Sequence, residues 1–140
     1  VDGMSIGVGA YGKLILQDDS TVVYEYCCYN LNEEEFANRM RVRDGLILIQ
    51  KDCFQEPEIH EKLKKMPNGR KKLMIKRIPV NVNYEKMIAE GSIIIENSLN
   101  CWKTTDTEMC IDVMALRLLH KLFGVYQEES KIPECISFHV

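Results

Sequence analysis

The feature that most constrains this chain is the order of its hydrophobic patterns: short strand-like runs come first, and the longest helical periodicity comes last. Lys13-Leu14-Ile15-Leu16 and Thr21-Val22-Val23-Tyr24-Glu25-Tyr26 flank Asp18-Asp19-Ser20, a turn composition, which predicts a β-hairpin. In the second run Val22, Tyr24 and Tyr26 share one face, and Val23, Glu25 and Cys27 the other. After a polar stretch over 30–43, Asp44-Gly45 introduces Leu46-Ile47-Leu48-Ile49, an unbroken apolar run expected of a central strand covered on both faces. Pro57 is tolerated in a first helical turn, so the spacing predicts a short helix from Pro57 to Lys65, ended by a turn at Met66-Pro67-Asn68-Gly69. Residues 72–78 return as a strand. Asn83 is expected to cap a second short helix over 84–90 that Gly91 stops, and Ile93-Ile94-Ile95 follows as a strand.

The last helix carries the strongest pattern. Thr105-x-x-Glu108 has the form of a capping box, in which hydroxyl and carboxylate satisfy two free backbone N–H groups. Met109, Val113, Leu116, His120 and Phe123 then recur at helical spacing, with Leu119, Leu122 and Tyr126 widening the apolar face. Residues 132–140 close the chain as an edge strand. Strands and helices do not alternate regularly, which argues against a doubly wound fold. The expectation is an α+β fold: an antiparallel or mixed sheet of five to six strands packed against one long C-terminal helix, plus short helices.

The 140 residues are expected to form one domain, 1–140, in which Val1-Asp2-Gly3 ahead of Met4 reads as a remnant of expression. With 46% apolar and 28% charged residues, the chain fits neither a disordered nor a fibrous class. No apolar run approaches the roughly 18–20 residues of a membrane span. No charged-then-apolar leader opens the sequence, so a soluble, cytoplasmic protein without a membrane partner is expected. Six cysteines, at 27, 28, 53, 101, 110 and 135, are read as reduced and mostly buried thiols. The adjacent Cys27 and Cys28 should point to opposite faces of a strand.

Several patterns suggest chemistry and are better explained otherwise. Gly7-Val8-Gly9-Ala10-Tyr11-Gly12 matches G-x-G-x-x-G, but a strand follows it where a nucleotide site needs a helix, so it reads as a flexible lead-in to the first strand. There is no C-x-x-C, and the histidines at 60, 120 and 139 lack a paired metal-binding spacing. A Cys–His dyad could still assemble from Cys110 and His120, or from Cys135 and His139. The simpler expectation is that Cys110 packs and that His120 is a hydrogen-bonded core residue. Glu33-Glu34-Glu35 and Asp18-Asp19 read as solvated acids without split environments. No catalytic residue, cofactor or metal is assigned.

Charge is the most informative global property. Between Glu61 and Arg77 eight basic residues (Lys62, Lys64, Lys65, Arg70, Lys71, Lys72, Lys76 and Arg77) stand against one Glu, a charge of +7, while the rest of the chain carries −10. A basic strip on an acidic body is suited to an acidic protein partner; the acidic remainder would equally suit a basic one, such as a nuclease. Nucleic acid is the less favoured partner, because the chain is net acidic and no aromatics interleave the lysines for base stacking. Lys64, Lys65, Arg70, Lys71 and Lys72, the acids Glu33, Glu34 and Glu35, and Trp102 as an exposed anchor are the candidate partner-binding residues. Tyr24, Tyr26 and Tyr29 complete the aromatic candidates, with half-buried packing as their commoner role.

The run Val22-Val23-Tyr24-Glu25-Tyr26, then Tyr29-Asn30-Leu31-Asn32 and Asp44-Gly45-Leu46-Ile47-Leu48-Ile49, resembles immunity proteins of bacterial polymorphic-toxin and contact-dependent-inhibition systems. Ala115-Leu116-Arg117-Leu118-Leu119, Tyr126-Gln127 and Ile132-Pro133-Glu134 add to the likeness, which covers about a third of the chain. The resemblance implies a small cytosolic protein that neutralises a cognate toxin domain, often a nuclease, by tight binding. It lends no site residue. The competing readings are a nucleic-acid-binding accessory domain acting through 62–77 and a small thiol-dependent enzyme.

Overall fold

The computed structural model describes residues 6–140, and the remnant read at Val1-Asp2-Gly3 lies outside them. Strand β1 (Val8–Gln17) and strand β2 (Thr21–Asn30) form the expected hairpin; Gly7 precedes β1, but Gly9 and Gly12 are paired within it, so the segment read as a flexible lead-in is already strand from Val8. The Asp18 carboxylate holds the turn by accepting from the Ser20 and Thr21 backbone N–H groups at 2.9 and 2.8 Å, and these bonds pull its pKa below the usual carboxylate range. Strand β3 (Gly45–Gln50) pairs with β2, and Tyr26 lies opposite Gly45. A β-carbon at Gly45 would overlap the Tyr26 ring, so only glycine fits there.

Strands β4 (Glu58–Lys65) and β5 (Lys71–Ile78) pair only with each other. Helix α1 (Tyr84–Ala89), strand β6 (Ile93–Glu96), helix α2 (Val113–Glu129) and strand β7 (Cys135–His139) complete the chain. The main sheet has the order β6-β3-β2-β1-β7, every pair antiparallel, so β7 is an edge strand as expected. The fold is therefore α+β, with a five-stranded sheet, a separate two-stranded ribbon and one long helix. Among the described residues no helix is long and apolar enough to cross a membrane.

Helix α2 crosses one face of the sheet. Met114, Ala115, Leu118, Leu119, Leu122 and Phe123 meet Ala10, Val22, Tyr24, Tyr26, Ile47, Ile49, Ile93 and Ile136 in one buried cluster. Asn83 caps α1 as expected, accepting from the Lys86 N–H at 3.1 Å, and Gly91 follows at φ +80°.

Five expectations are corrected. Residues 58–65 are a strand, not a helix: Ile59, Glu61, Leu63 and Lys65 alternate, and the Pro-Asn-Gly turn, with Gly69 at φ +82°, closes a hairpin onto β5. Proline before a strand is as acceptable as proline in a first helical turn, and cross-strand pairing decides between them. The last helix starts at Val113 rather than at Thr105: the Thr105 hydroxyl accepts from the Ile111 N–H inside a loop, and Asp112 is the cap. Its buried face is rotated by about one residue from the stripe read in sequence, so His120 is exposed, and Met109 is exposed in the loop before the helix. Strand β3 is buried on one face only, with Leu46 and Leu48 half-exposed on the side without a helix. Three of the six thiols are buried; Cys101 is intermediate and Cys110 and Cys135 are exposed, so Cys110 does not pack.

Asp112 is the polar node under this core. It has no exposed surface, and one carboxylate oxygen accepts from the Met114 N–H at 2.9 Å. The other accepts from the Tyr26 hydroxyl at 2.7 Å, with the Cys28 thiol 3.3 Å away. Asp112→Ala removes a helix cap and strands buried donors, so about 3 kcal/mol of stability should be lost. Urea unfolding measures it, and a loss below about 1 kcal/mol would remove Asp112 from this role. Burial, then the neighbouring Asp112 charge, raises Tyr26 and Cys28 well above their usual range, and the same causes push Cys101 up to about 11. These groups hold protons in the fold that the unfolded chain releases earlier. The contribution of these groups to stability should therefore be constant below the ordinary thiol range of about 8.5 and be lost as pH rises towards 11. Urea midpoints across alkaline pH test this; a flat profile contradicts it.

Candidate functional site

The β4–β5 ribbon projects from the body as an arm. Every residue of both strands except Ile78 is exposed. Its register sorts the side chains into two faces, because directly paired residues point the same way and alternate residues point apart. One face carries Ile59, Glu61, Leu63 and Lys65 opposite Arg77, Ile75, Leu73 and Lys71. The other carries Glu58, His60, Lys62 and Lys64 opposite Ile78, Lys76, Met74 and Lys72. The first face has an apolar centre: Ile59, Leu63, Leu73 and Ile75 are 60, 62, 49 and 61% exposed. The second is predominantly basic.

The tip gathers five of the basic residues singled out in sequence, Lys64, Lys65, Arg70, Lys71 and Lys72. Lys64 faces Lys72 and Lys65 faces Lys71, like-charge pairs that destabilise an isolated hairpin. Among the described residues no carboxylate lies within 4.0 Å of any lysine or arginine on the arm, the arm's one ion pair being His60 with Glu58 at 3.3 Å. A two-stranded ribbon is at best marginal in water, so the arm combines weak intrinsic stability with unneutralised charge and uncovered apolar surface.

Helix α2 fixes the base of the arm on both sides. Before β4, Glu56 accepts from the Tyr126 hydroxyl at 2.7 Å. After β5, the Arg77 guanidinium donates to the Glu128 carbonyl at 2.7 Å and to the Ser130 hydroxyl. The buried Gln127 amide accepts from the Val80 N–H at 2.7 Å and donates to the Val80 carbonyl at 3.2 Å. The base is tied to α2 on both sides, and the strands beyond it are exposed.

Beside the base lies a cleft of about 690 Å³ between α1, the 104–112 loop and α2. Val82, Tyr84, Ile88, Met109, Ile111 and Leu116 form its apolar wall, with Asn81, Asn83, Glu85, Thr105, Thr107 and His120 at its polar edges. His120 stacks on Tyr84 with ring centroids 4.2 Å apart. Burial, with the Arg117 charge nearby, lowers its pKa from the ordinary histidine value. Its expected role as a hydrogen-bonded core residue is thus replaced by a stacked side chain on a cleft wall.

The remaining sequence candidates lie elsewhere. Glu33, Glu34 and Glu35 are exposed on a short 3-10 turn after β2. Trp102 is half-buried against the core, with an indole N–H that is enclosed and unpartnered, so it is not an exposed anchor. Tyr24 and Tyr26 are core residues, while Tyr29 reaches the edge of the sheet and bonds His139 Nδ1 at 2.7 Å. Cys135 and His139 are four residues apart along one strand, roughly 13 Å, and each is engaged by a different tyrosine. Cys110 turns to the Thr107 carbonyl rather than to His120. The structure assembles neither dyad. Among the described residues no three His, Cys, Asp or Glu side chains converge as metal ligands.

Sequence reading missed the apolar face of the arm. Its signal was the alternation of Ile59 and Leu63, hidden once 57–65 was read as a helix. The thiol environment yields a direct test. At neutral pH iodoacetamide should modify Cys110 and Cys135 at about the rate of a free thiol, leaving Cys27, Cys28 and Cys53 untouched until unfolding. Peptide mapping after timed labelling reads this, and one cysteine reacting far faster than free thiol would revive the enzyme reading.

No family model matches the chain, and neither does any curated protein or solved structure.

Proposed function

We propose that this chain is a non-catalytic protein-binding module whose recognition element is the β4–β5 arm. The observation that carries the reading is the uncovered row Ile59, Leu63, Leu73 and Ile75 on a ribbon bearing most of the chain's concentrated positive charge. Each of these residues keeps about half to three-fifths of its exposure in the ribbon, so covering the rest is worth about 1 kcal/mol apiece. The lysines around them would attract an acidic surface over several ångströms and speed its encounter. The resemblance to immunity proteins supplies the partner class: a toxin domain bound tightly in the cytosol of the cell that makes both. An apolar-centred, acid-rimmed surface on that domain is the complement the arm requires.

Nucleic acid is the second reading, favoured by one observation: Lys62, Lys64, Lys72 and Lys76 share one face of a two-stranded ribbon, a shape that enters a groove. That mode would neutralise the basic face and leave the apolar face in water, which is why the protein reading is preferred.

Paired substitutions separate the two. Leu63→Asp with Leu73→Asp should weaken capture of the protein partner by about 100-fold or more, and Leu63→Thr with Leu73→Thr, which puts no like charges across the strand pair, by about 10-fold. Lys64→Glu with Lys72→Glu should slow association by about 10-fold and flatten its salt dependence. Surface plasmon resonance against the partner recovered from the source cell provides both readings. Full binding by the aspartate variant, or a salt-steep shift of DNA or RNA that this variant retains, would transfer the function to the basic face.

A further inference from the structure

Helix α2 packs on one face of the main sheet and leaves the other outside the core, and alternation along each strand fixes what that second face carries. Leu16 pairs with Val23, Val23 with Leu48 and Leu48 with Ile94, an apolar row that crosses four strands. A bulge in β1 sets Ile15 beside Leu16, so that two residues oppose Val23 there. Ile15, Leu16 and Ile94 are 50, 54 and 48% exposed, and Val23 and Leu48 are half-buried. Two residues along each strand, Lys13, Glu25, Leu46 and Glu96 form the neighbouring row. Beyond it Arg43, from the loop before β3, bonds Glu25 at 2.7 Å and lies over the Tyr11 ring, and Cys27 is buried. The apolar row has no such cover among the described residues.

We infer that two copies of this chain associate through this face, sheet on sheet, about a two-fold axis that runs parallel to the strands midway between β2 and β3. The placement of charge selects a second copy as the occupant. Lys13 on β1 and Glu96 on β6 stand in one row at equal distances, about 7 Å, on either side of that axis. The rotation exchanges the two ends of the row, so Lys13 of each copy faces Glu96 of the other. Neither has an ion-pair partner within its own chain among the described residues, because Glu25, the cross-strand neighbour of Lys13, is taken by Arg43. The same rotation sets Leu16 against Ile94 and Val23 against Leu48, and Glu25 meets Leu46, so no like charges oppose each other in either row. Four strands make a face about 19 Å wide, and two such sheets packed about 10 Å apart bury on the order of 1,000 Å² in total. That is the lower bound of a specific interface, so the dimer is weak, with a Kd on the order of 10 μM. The arm is tied to α2 on the other side of the sheet and stays free, so the dimer is independent of the function proposed for the arm.

Sedimentation velocity on the full chain, from about 1 to about 300 μM, should show a monomer–dimer equilibrium. Ile94→Asp and Leu16→Asp, at exposed positions of the apolar row, should each give monomers throughout that range. Charge reversal tests the two-fold arrangement itself. Lys13→Glu alone and Glu96→Lys alone each put like charges at both ends of the interface and should raise Kd about 10-fold. Both reversals in one chain restore opposite charges and should return Kd to within about 2-fold of wild type. The double variant keeps the net charge of the wild type, so general repulsion does not account for the recovery. If Lys13→Glu, which faces Glu25 across the strand pair, does not fold, Glu96→Lys and Ile94→Asp on the edge strand β6 carry the test. A wild-type chain that stays monomeric, a dimer indifferent to Ile94→Asp or Glu96→Lys, or a folded double reversal as weak as the single ones overturns the inference. So does a dimer abolished by Leu63→Asp with Leu73→Asp, which leaves the sheet untouched and would move the interface to the arm.

Discussion

Asp112 is buried without any exposed surface, yet it is a carboxylate, and its position sets the geometry of everything above the sheet. Its two oxygens serve two elements: one caps α2 through Met114, and the other takes the Tyr26 hydroxyl from the middle of β2. Tyr26 in turn accepts from the Ser98 N–H, and the Asp112 N–H donates to Asn97. The start of the helix, the centre of the sheet and the loop after β6 are thereby joined at one point. A buried carboxylate is tolerable only when its lone pairs are satisfied, and here the donors come from two segments, the first turn of α2 and strand β2. The helix phase follows from it: with the first turn fixed at Asp112, Ala115, Leu118, Leu119 and Leu122 fall on the sheet and His120 falls outside.

The arm is built on the opposite logic. It has no core beneath it, carries like charges across its tip and leaves five large apolar side chains in contact with water. The missing core and the facing lysines lower the stability of a hairpin that is marginal even without them. The structure compensates at the base, where the end of α2 meets both strands' connections through Glu56, Arg77 and Val80. Order is therefore transmitted outward from a helix whose own position depends on Asp112. A surface of this kind is held by the folded body that carries it, and its apolar area stays uncovered within the molecule.

Local signals explain which parts were legible in sequence. The Asp18 turn, the Asn83 cap and Gly91 at positive φ are each satisfied within four residues of chain, so the β1–β2 hairpin and α1 could be read directly. The capping box at Thr105 and Glu108 had the right residues as well, but Asp112 outcompeted it because its partners on β2 exist only in the folded state. Residues 58–65 mix Lys, Glu, Ile and Leu in an order compatible with both periods, and their assignment depended on β5, whose pairing extends to eight residues.

The sequence by itself determined the α+β class and the segregation of positive charge, because these depend on alternation, turn residues and composition within short windows, while the choice between an antiparallel and a mixed sheet was left to the strand pairing. Only the tertiary structure decided where α2 begins, which way His120 points and that the basic segment is an arm with an apolar face. The physical reason is the same in each case. A strand face or helix phase is selected by the surface it meets, and that surface comes from residues distant in the chain.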